Sequence, residues 1–292
     1  MAPPRVPEHV VQNAIALDTA KLLYVPVPRA GSTAILWALA RSEGLAEEHF
    51  VESTKLEVTR ALTIHDLSCW GESRRLAGRN ERELEEILSS DDWLRFTVVR
   101  EPVRRLWSAW VTKILLRDPR FVRAFGAEDW FPRAIEDADG VARAFRSFVA
   151  VLADRPDAWH DPHWSSQGDL AGLEELDYRV VGRMEDLGAV LAVVDEHLRG
   201  RDRAPLVLGA ENASPLPFTR GVLDAETAAA CADWTARDRT VLGYPSVPAG
   251  DGGLGREWVA AVTASLPAVN AVAERNERIG DLRELLRRSP AS

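Results

Sequence analysis

The stretch Leu22-Leu23-Tyr24-Val25-Pro26-Val27-Pro28-Arg29-Ala30-Gly31-Ser32-Thr33-Ala34-Ile35-Leu36 decides the fold. Residues 22–27 are apolar and read as a short strand, residues 28–32 carry the Pro and Gly of a loop, and Ile35, Leu36 and Leu39 then recur at helical spacing. A strand, a loop and a helix in immediate succession make one half of a parallel βαβ unit. Backbone N–H groups at such a helix start converge where the helix dipole favours negative charge, a geometry that binds phosphate or sulfate. Gly31 permits close backbone approach, Ser32 and Thr33 add hydroxyl donors, and Arg29 supplies a fixed charge with a planar donor fork. The same spacing also suits a plain capped helix start with Ser32 as N-cap. The loop has one Gly and no Lys before the Ser, so it lacks the G-x-x-x-x-G-K-[ST] pattern of a nucleoside-triphosphate site and speaks against a magnesium-dependent ATPase.

Working outward, a second strand, loop and helix unit lies at residues 93–116. Residues 96–99 are a β-branched run, Glu101-Pro102 turns the chain, and residues 103–116 have helical periodicity. Two such units predict an α/β fold with a central parallel sheet covered by helices. Arg100 ends the second strand, at the carboxyl edge where open α/β sheets bind ligands. Ser108 follows Arg104 by four residues and Arg105 by three, so one helix face offers a hydroxyl beside guanidinium groups, which suits a terminal phosphate. The alternative is an ordinary amphipathic helix with Leu106, Trp107, Trp110 and Ile114 buried and the arginines solvated.

Further along, residues 81–88 read as an exposed helix, 62–64 as a short strand ending at His65 and Asp66, 178–181 as a third β-rich run, and 187–198 and 225–240 as helices. The pattern divides the chain into a main domain over residues 1–248 and a Gly-rich linker with a helical C-terminal appendage over 249–292. Val272, Ile279 and Leu286 recur there at heptad spacing, which fits either a helix docked on the domain or a homodimer contact.

The bulk numbers bound the function. With 292 residues, 46% of them hydrophobic, the chain can fill a large core. A net charge of −9 argues against an extended nucleic-acid or anionic-membrane footprint, which needs a basic face. Two cysteines, Cys69 and Cys231, make no disulfide framework and no zinc spacing, so a reducing compartment is expected. Residues 1–17 have no signal-peptide layout, and no stretch approaches the ~20 apolar residues that span a bilayer. These features together predict a cytoplasmic protein.

Residues 24–33 (YVPVPRAGST) resemble the 5′-phosphosulfate loop of the sulfotransferase superfamily, most closely the Golgi carbohydrate sulfotransferases of the chondroitin 4-O and HNK-1 type. Residues 98–110 (VVREPVRRLWSAW) are similar to their 3′-phosphate element, in which an Arg and a Ser at this spacing hold the cofactor. Likeness continues through His163-Trp164 with Gln167, residues 178–186 (YRVVGRMED), Asn212 with Ser214, and residues 236–244, so it covers roughly residues 20–245. The resemblance implies a P-loop-like fold with 3′-phosphoadenosine 5′-phosphosulfate (PAPS) as donor and no metal. By the same resemblance the cofactor-binding residues are Arg29, Ala30, Gly31, Ser32, Thr33, Ala34, Arg100, Ser108, Asn212 and Ser214. Three departures stand out. Arg29 occupies a position where family members usually carry Lys, Met184 stands where an aromatic often faces the adenine, and the membrane anchor of the Golgi relatives has no counterpart, which fits a cytoplasmic bacterial-type enzyme.

Sulfuryl transfer needs charge stabilisation, here from Arg29 and the loop amides, and a base for the acceptor hydroxyl. His65 is the first candidate base, because it ends a strand between the two cofactor motifs; its other reading is a loop histidine beside Asp66 that caps local structure. His160, Asp161 and His163 form a second polar cluster in which a metal is conceivable, although the resemblance favours a structural role for His163-Trp164. Arg183, Glu185 and Asp186 read as a helix-start ion network. Residues 117–159, rich in Trp, Phe and Arg, fit either an acceptor wall or a helical cover with buried aromatics. The acceptor class stays open among a glycan, a glycosylated natural product and a lipid. The rival functions are a P-loop-type nucleotide kinase and a catalytically inactive PAP-binding or partner-binding module.

Overall fold

The computed structural model describes residues 6–54, 58–155, 161–209, 214–251 and 253–288. The elements run α1 Glu8–Asn13, β1 Ile15–Leu17, β2 Leu22–Val25, α2 Ser32–Ser42, α3 Glu47–Ser53, α4 Glu81–Ser89, β3 Leu94–Val99, α5 Pro102–Trp110, α6 Pro119–Phe125 and α7 Ala138–Asp154. They continue with α8 Gln167–Ala171, β4 Val180–Arg183, α9 Leu187–Arg199, α10 Ala225–Trp234, α11 Ala236–Leu242 and α12 Arg256–Arg288. The chain forms two units, one from residues 1–101 and 165–213, the other from 102–164 and 214–292.

The first unit holds a four-stranded sheet in the order β1-β2-β3-β4. β1 is antiparallel to β2, whereas β2, β3 and β4 are parallel, with Tyr24 opposite Phe96 and Phe96 opposite Val180. Successive side chains leave opposite faces of a strand, so both faces can be covered. Leu22, Tyr24, Phe96 and Val98 pack with Ile35, Leu36 and Leu39 of α2 and with Val190, Val194 and Leu198 of α9. Leu23 and Val25 pack with Val10 of α1, Ile87 and Leu88 of α4, and Trp93. Burial of β2 on both faces explains why residues 22–25 are uninterruptedly apolar. Each such Leu or Val contributes about 1.5–3 kcal/mol by leaving water, and the Tyr24 and Phe96 rings add a stack at 4.8 Å. Gly182 of β4 lets α9 come close, since a Cβ there would lie 2.2 Å from Val190 Cγ2.

One charged residue is built into this sheet. Arg95 of β3 is buried, and its guanidinium donates to the carbonyls of Ser90 at 2.7 Å, Asp177 at 2.7 Å and Ile87 at 3.3 Å. It thereby supplies a donor to Ile87 O in the last turn of α4 and to Ser90 O at its C-cap, where helix carbonyls lack intrahelical partners. At its other end α4 has a full capping box between Asn80 and Glu83.

The expected helices at 81–88 and 187–198 and the strands at 22–27, 96–99 and 178–181 are present with ends shifted by a few residues. The strand expected at 62–64 is not. Residues Arg60–His65 form a 3-10 helix, with Leu62 N–H donating to Thr59 O at 2.8 Å and Asp66 N–H to Thr63 O at 2.9 Å. Thr63 Oγ1 adds a local bond to Arg60 O at 2.8 Å, and three apolar residues are too few to impose a strand on a segment that closes its hydrogen bonds locally.

The second unit is helical. Its core gathers Trp107 and Trp110 of α5, Phe121 of α6, Phe145 and Phe148 of α7, and Trp164. Leu106, Trp107, Trp110 and Ile114 are buried as the amphipathic pattern demands, but Arg105 is buried with them. The helix expected over 103–116 is α-helical only to Trp110 and then π-helical over Val111–Leu115, with Leu116 N–H reaching Val111 O at 2.9 Å. Residues 225–240, expected as one helix, are two. Thr235 leaves helical geometry at φ −97°, ψ 8° and turns its hydroxyl back to Cys231 O at 2.7 Å. Phe121, Phe131, Phe145 and Phe148, from the stretch read as wall or cover, are core residues; Trp159 lies outside the described residues.

The helix α12 belongs to this core. Trp258, Val262, Leu266, Val269 and Ala273 are its buried residues. Beyond them, Asn276 Nδ2 donates to Leu116 O at 2.7 Å, and Glu277 pairs with Arg117 at 2.6 Å. The heptad of Val272, Ile279 and Leu286 is not the buried seam: Leu286 is 74% exposed, because burial follows the 4-4-3-4 spacing that begins at Trp258. Both cysteines are buried free thiols. No helix among the described residues is long and apolar enough to cross a membrane.

Candidate functional site

In the first unit the three parallel strands end at one edge of the sheet. The chain leaves β2 into residues 26–31, β3 into Arg100 and Glu101, and β4 into Met184, Glu185 and Asp186. Ligands of open α/β sheets bind beyond such carboxyl ends.

The loop after β2 is under backbone constraint. Arg29 has φ 68° and Gly31 φ 81°, with Ala30 between them outside that region. A left-handed arginine costs about 1–3 kcal/mol, which the surrounding structure must offset. Alternation of left-handed and ordinary residues aims successive N–H groups into one concavity, as in anion-binding nests. Ala30 N–H is held by Val27 O at 3.2 Å, and the first bond of α2 runs from Ile35 N–H to Gly31 O at 3.2 Å. The N-cap of α2 is Gly31 rather than Ser32, so no side chain caps the helix start. The N–H groups of a first turn have no acceptor within their helix. Ser32 and Thr33 sit in that turn, each 5% exposed.

Met184, just after β4, lies over the loop: a Cβ added to Gly31 would meet its Sδ at 2.7 Å. The residue that stands where relatives often carry an adenine-facing aromatic thus lies against the turn that opens α2.

Arg100 is held at backbone and side chain. Gln167, fully buried at the start of α8, accepts Arg100 N–H at Oε1 (2.8 Å) and donates from Nε2 to Arg100 O (2.8 Å). Arg100 Nη1 donates to Arg29 O at 3.3 Å, which joins the two sequence motifs directly. Glu101 N–H donates to Glu185 Oε1 at 2.8 Å, so Glu185 ties the end of β3 to the residues after β4.

His65 meets the same loop. Its Nε2 lies 3.0 Å from Thr33 Oγ1. The 3-10 helix that carries it is fixed by Trp37 Nε1 donating to Ala61 O at 2.9 Å and Trp70 Nε1 to Ile64 O at 3.0 Å. The neighbouring Asp66 accepts from Ser68 and from Thr54 Oγ1.

Residues 29–34, His65 and Arg100 are therefore gathered in one unit. Ser108 and Ser214 belong to the second unit. Ser108 is buried on α5, where its carbonyl accepts Thr112 Oγ1 at 2.8 Å, and Ser214 Oγ donates to Leu216 O at 3.1 Å. Asn212 and His160 lie outside the described residues. Gln167 and Glu185 stand in the quoted family segments, but their bonds to main-chain atoms of Arg100 and Glu101 leave no spacing signature.

The second unit holds a polar cluster of its own. His163 Nδ1 and N–H both reach Asp161 Oδ1, at 2.6 and 2.9 Å, and Arg120 pairs with Asp161 at 3.0 Å. Burial brings the His163 pKa down to about 4, against the Asp161 hydrogen bond and with help from Lys113 and Arg120. Burial acts to raise Asp161, but the His163 hydrogen bonds and Arg120 prevail and hold its carboxyl below the usual value. Arg105 donates to Pro162 O at 2.7 Å; burial brings it down to about 10, opposed by Asp238 and Asp161, so it stays charged at neutral pH. Among the described residues no group of three or more His, Cys, Asp or Glu side chains converges.

A sequence profile described as the sulfotransferase family matches residues 12–199, more than half of the chain. The chain belongs to the sulfotransferase family. The matched sulfotransferase segment takes in the loop after β2, His65, Arg100, Gln167 and β4. Among curated proteins, the chain is 26% identical over 203 residues to carbohydrate sulfotransferase 10 of Danio rerio, covering 62% of this chain and 51% of that one. The Mus musculus protein of the same name is 26% identical over 203 residues, covering 63% and 52%. That of Xenopus laevis is 25% identical over 202 residues, covering 62% and 52%. The chain spans about half the length of these relatives. No solved structure matches this sulfotransferase-family chain significantly.

Proposed function

We propose that this chain is an enzyme that moves a sulfuryl group from PAPS to a hydroxyl of a glycan, giving PAP. The observation that carries the reading is the side-chain-free cap of α2, with Arg29 and Gly31 left-handed before it and the Arg100 guanidinium on Arg29 O. Family membership supports sulfuryl transfer, and the names of the relatives support a carbohydrate acceptor. A glycosylated natural product and a lipid are the other acceptor classes to screen.

The donor set suits a doubly anionic ligand. The first-turn amides, the Ser32 and Thr33 hydroxyls and Arg29 hold the phosphosulfate end, where they offset charge on the moving group and on the leaving phosphate oxygen. Arg100 holds the 3′-phosphate; Ser108, Asn212 and Ser214 are assigned to the cofactor by the family likeness alone. In the transfer the bond from sulfur to the phosphate oxygen breaks, a bond to the acceptor oxygen forms, and the acceptor proton goes to His65. No metal takes part, so activity survives chelation. The two free buried thiols support a reducing compartment, and we place the protein in the cytoplasm, which cell fractionation checks.

Calorimetry without metal, using PAP with ATP and AMP as comparators, tests the reading. Selective PAP binding that disappears in Arg100→Ala supports it and justifies an acceptor screen with PAPS. A magnesium-dependent preference for ATP would replace it with a nucleotide kinase, and PAP binding without turnover on any alcohol with an inactive module.

A further inference from the structure

Beyond the end of β3 no strand ladder fixes the chain, yet the residue there carries the guanidinium assigned to the 3′-phosphate. Gln167 replaces the ladder. Its amide sits with no exposed surface in the first turn of α8 and engages Arg100 twice, accepting the N–H and donating to the carbonyl, both at 2.8 Å. Its own backbone is fixed because Ser166 caps α8, accepting Asp169 N–H at 3.3 Å. On the following residue, Glu185 accepts Glu101 N–H at 2.8 Å. The main chain of Arg100 is thus gripped on both sides of its Cα, and the side chain leaves that fixed point to reach Arg29 O at 3.3 Å.

We propose that Gln167 is a positioning residue for the donor: it sets the backbone of Arg100 so that the guanidinium stands ready for the 3′-phosphate. The inference rests on the reading of Arg100 given under Proposed function. An amide is required because one side chain must offer an acceptor and a donor at once. An ionised carboxylate only accepts, and a leucine does neither. Preorganisation of this kind lowers the ordering cost of binding rather than adding a contact to the ligand.

The test compares PAP affinity by calorimetry in wild type, Arg100→Ala, Gln167→Leu and Gln167→Glu between pH 5 and 8, with thermal unfolding of each. Gln167→Leu is expected to bind PAP ten- to a hundredfold more weakly. Gln167→Glu is expected to be equally weak at pH 8 and to recover toward pH 5, read as the ratio to wild type at each pH. The protonated carboxyl regains a donor for Arg100 O while its carbonyl oxygen still accepts the N–H; a purely structural role gives no such recovery. Wild-type affinity in Gln167→Leu, or a ratio for Gln167→Glu that is flat with pH, overturns the inference. If Gln167→Leu does not fold, the ratio for Gln167→Glu decides alone. Unchanged PAP affinity in Arg100→Ala instead overturns the reading beneath it, whatever the Gln167 variants do.

Discussion

Thr33 Oγ1 and His65 Nε2 lie 3.0 Å apart, a hydrogen bond that joins the first turn of α2 to the end of a 3-10 helix. It brings a side chain able to take a proton onto the loop assigned to the sulfuryl donor. His65→Ala is expected to lower turnover by about 10²–10⁴-fold while PAP affinity stays within about twofold, because the charges that hold PAP are untouched. Steady-state kinetics beside calorimetry separate the two quantities. Full turnover in the variant would assign the base to another residue.

Gly31→Ala tests the loop itself. The new methyl meets Met184 Sδ at 2.7 Å, and φ 81° strains any residue with a Cβ. The sulfur belongs to a flexible side chain, so the backbone conformation is the larger obstacle. Stability should fall by about 1–2 kcal/mol and PAP binding should weaken strongly. Adding Met184→Ala should restore only part of the stability. Complete restoration in thermal melts would make the contact, and not the backbone, the cause.

Asp161 and His163 give the protein an acid-sensitive element. Folded, His163 stays neutral down to about pH 4, whereas unfolded it takes its proton near the ordinary value of 6.5. Between these values the unfolded chain binds more protons, so stability falls as pH drops from about 6.5 to 4, by about 2–3 kcal/mol in all. The lowered Asp161 contributes stability that is lost only at still lower pH. Unfolding midpoints measured from pH 7.5 to 4 should therefore fall more steeply in wild type than in His163→Gln. Parallel slopes would locate the sensitivity in another group.

The two stripes of α12 make opposite predictions. Leu266 is buried, and Leu266→Ala should cost about 2–5 kcal/mol. Leu286, on the heptad stripe, is 74% exposed, and Leu286→Ala should change stability by less than about 0.5 kcal/mol. Chemical denaturation of both variants checks the pair. A large loss at Leu286 would mean that a second copy covers it.

What the sequence disclosed follows from which interactions leave a periodic trace. Residues 22–25 are apolar without a break, and 94–99 carry Leu94, Phe96, Val98 and Val99 around Arg95 and Thr97, because both faces of these two strands are buried, so the strands and the loops after them were legible. The anion loop was legible as chemistry, yet its cap was not: Ser32 is the commoner N-cap type, and only the left-handed Gly31 moves the cap back by one residue. The segment carrying His65 has three apolar residues and closes its bonds three residues apart, so a strand and a 3-10 helix look alike in sequence. Gln167 is legible only as part of a family segment, since its two bonds go to main-chain atoms of a residue far along the chain. The heptad at Val272, Ile279 and Leu286 was a true spacing, but the residues buried on α12 are Trp258, Val262, Leu266, Val269 and Ala273.

The route of the chain through its two units carries a consequence for its synthesis. β1, β2 and β3 emerge first, but β4, which pairs with β3 at Phe96 and Val180, follows only after α5, α6 and α7. Until then a nascent chain carries β3 as a bare edge, rich in apolar side chains and open to pairing with a neighbour. Pairings so distant in sequence also form slowly. Expression at low temperature or with chaperones should raise the yield of active protein, and a chain cut after Trp164 should aggregate rather than fold as a smaller sulfotransferase.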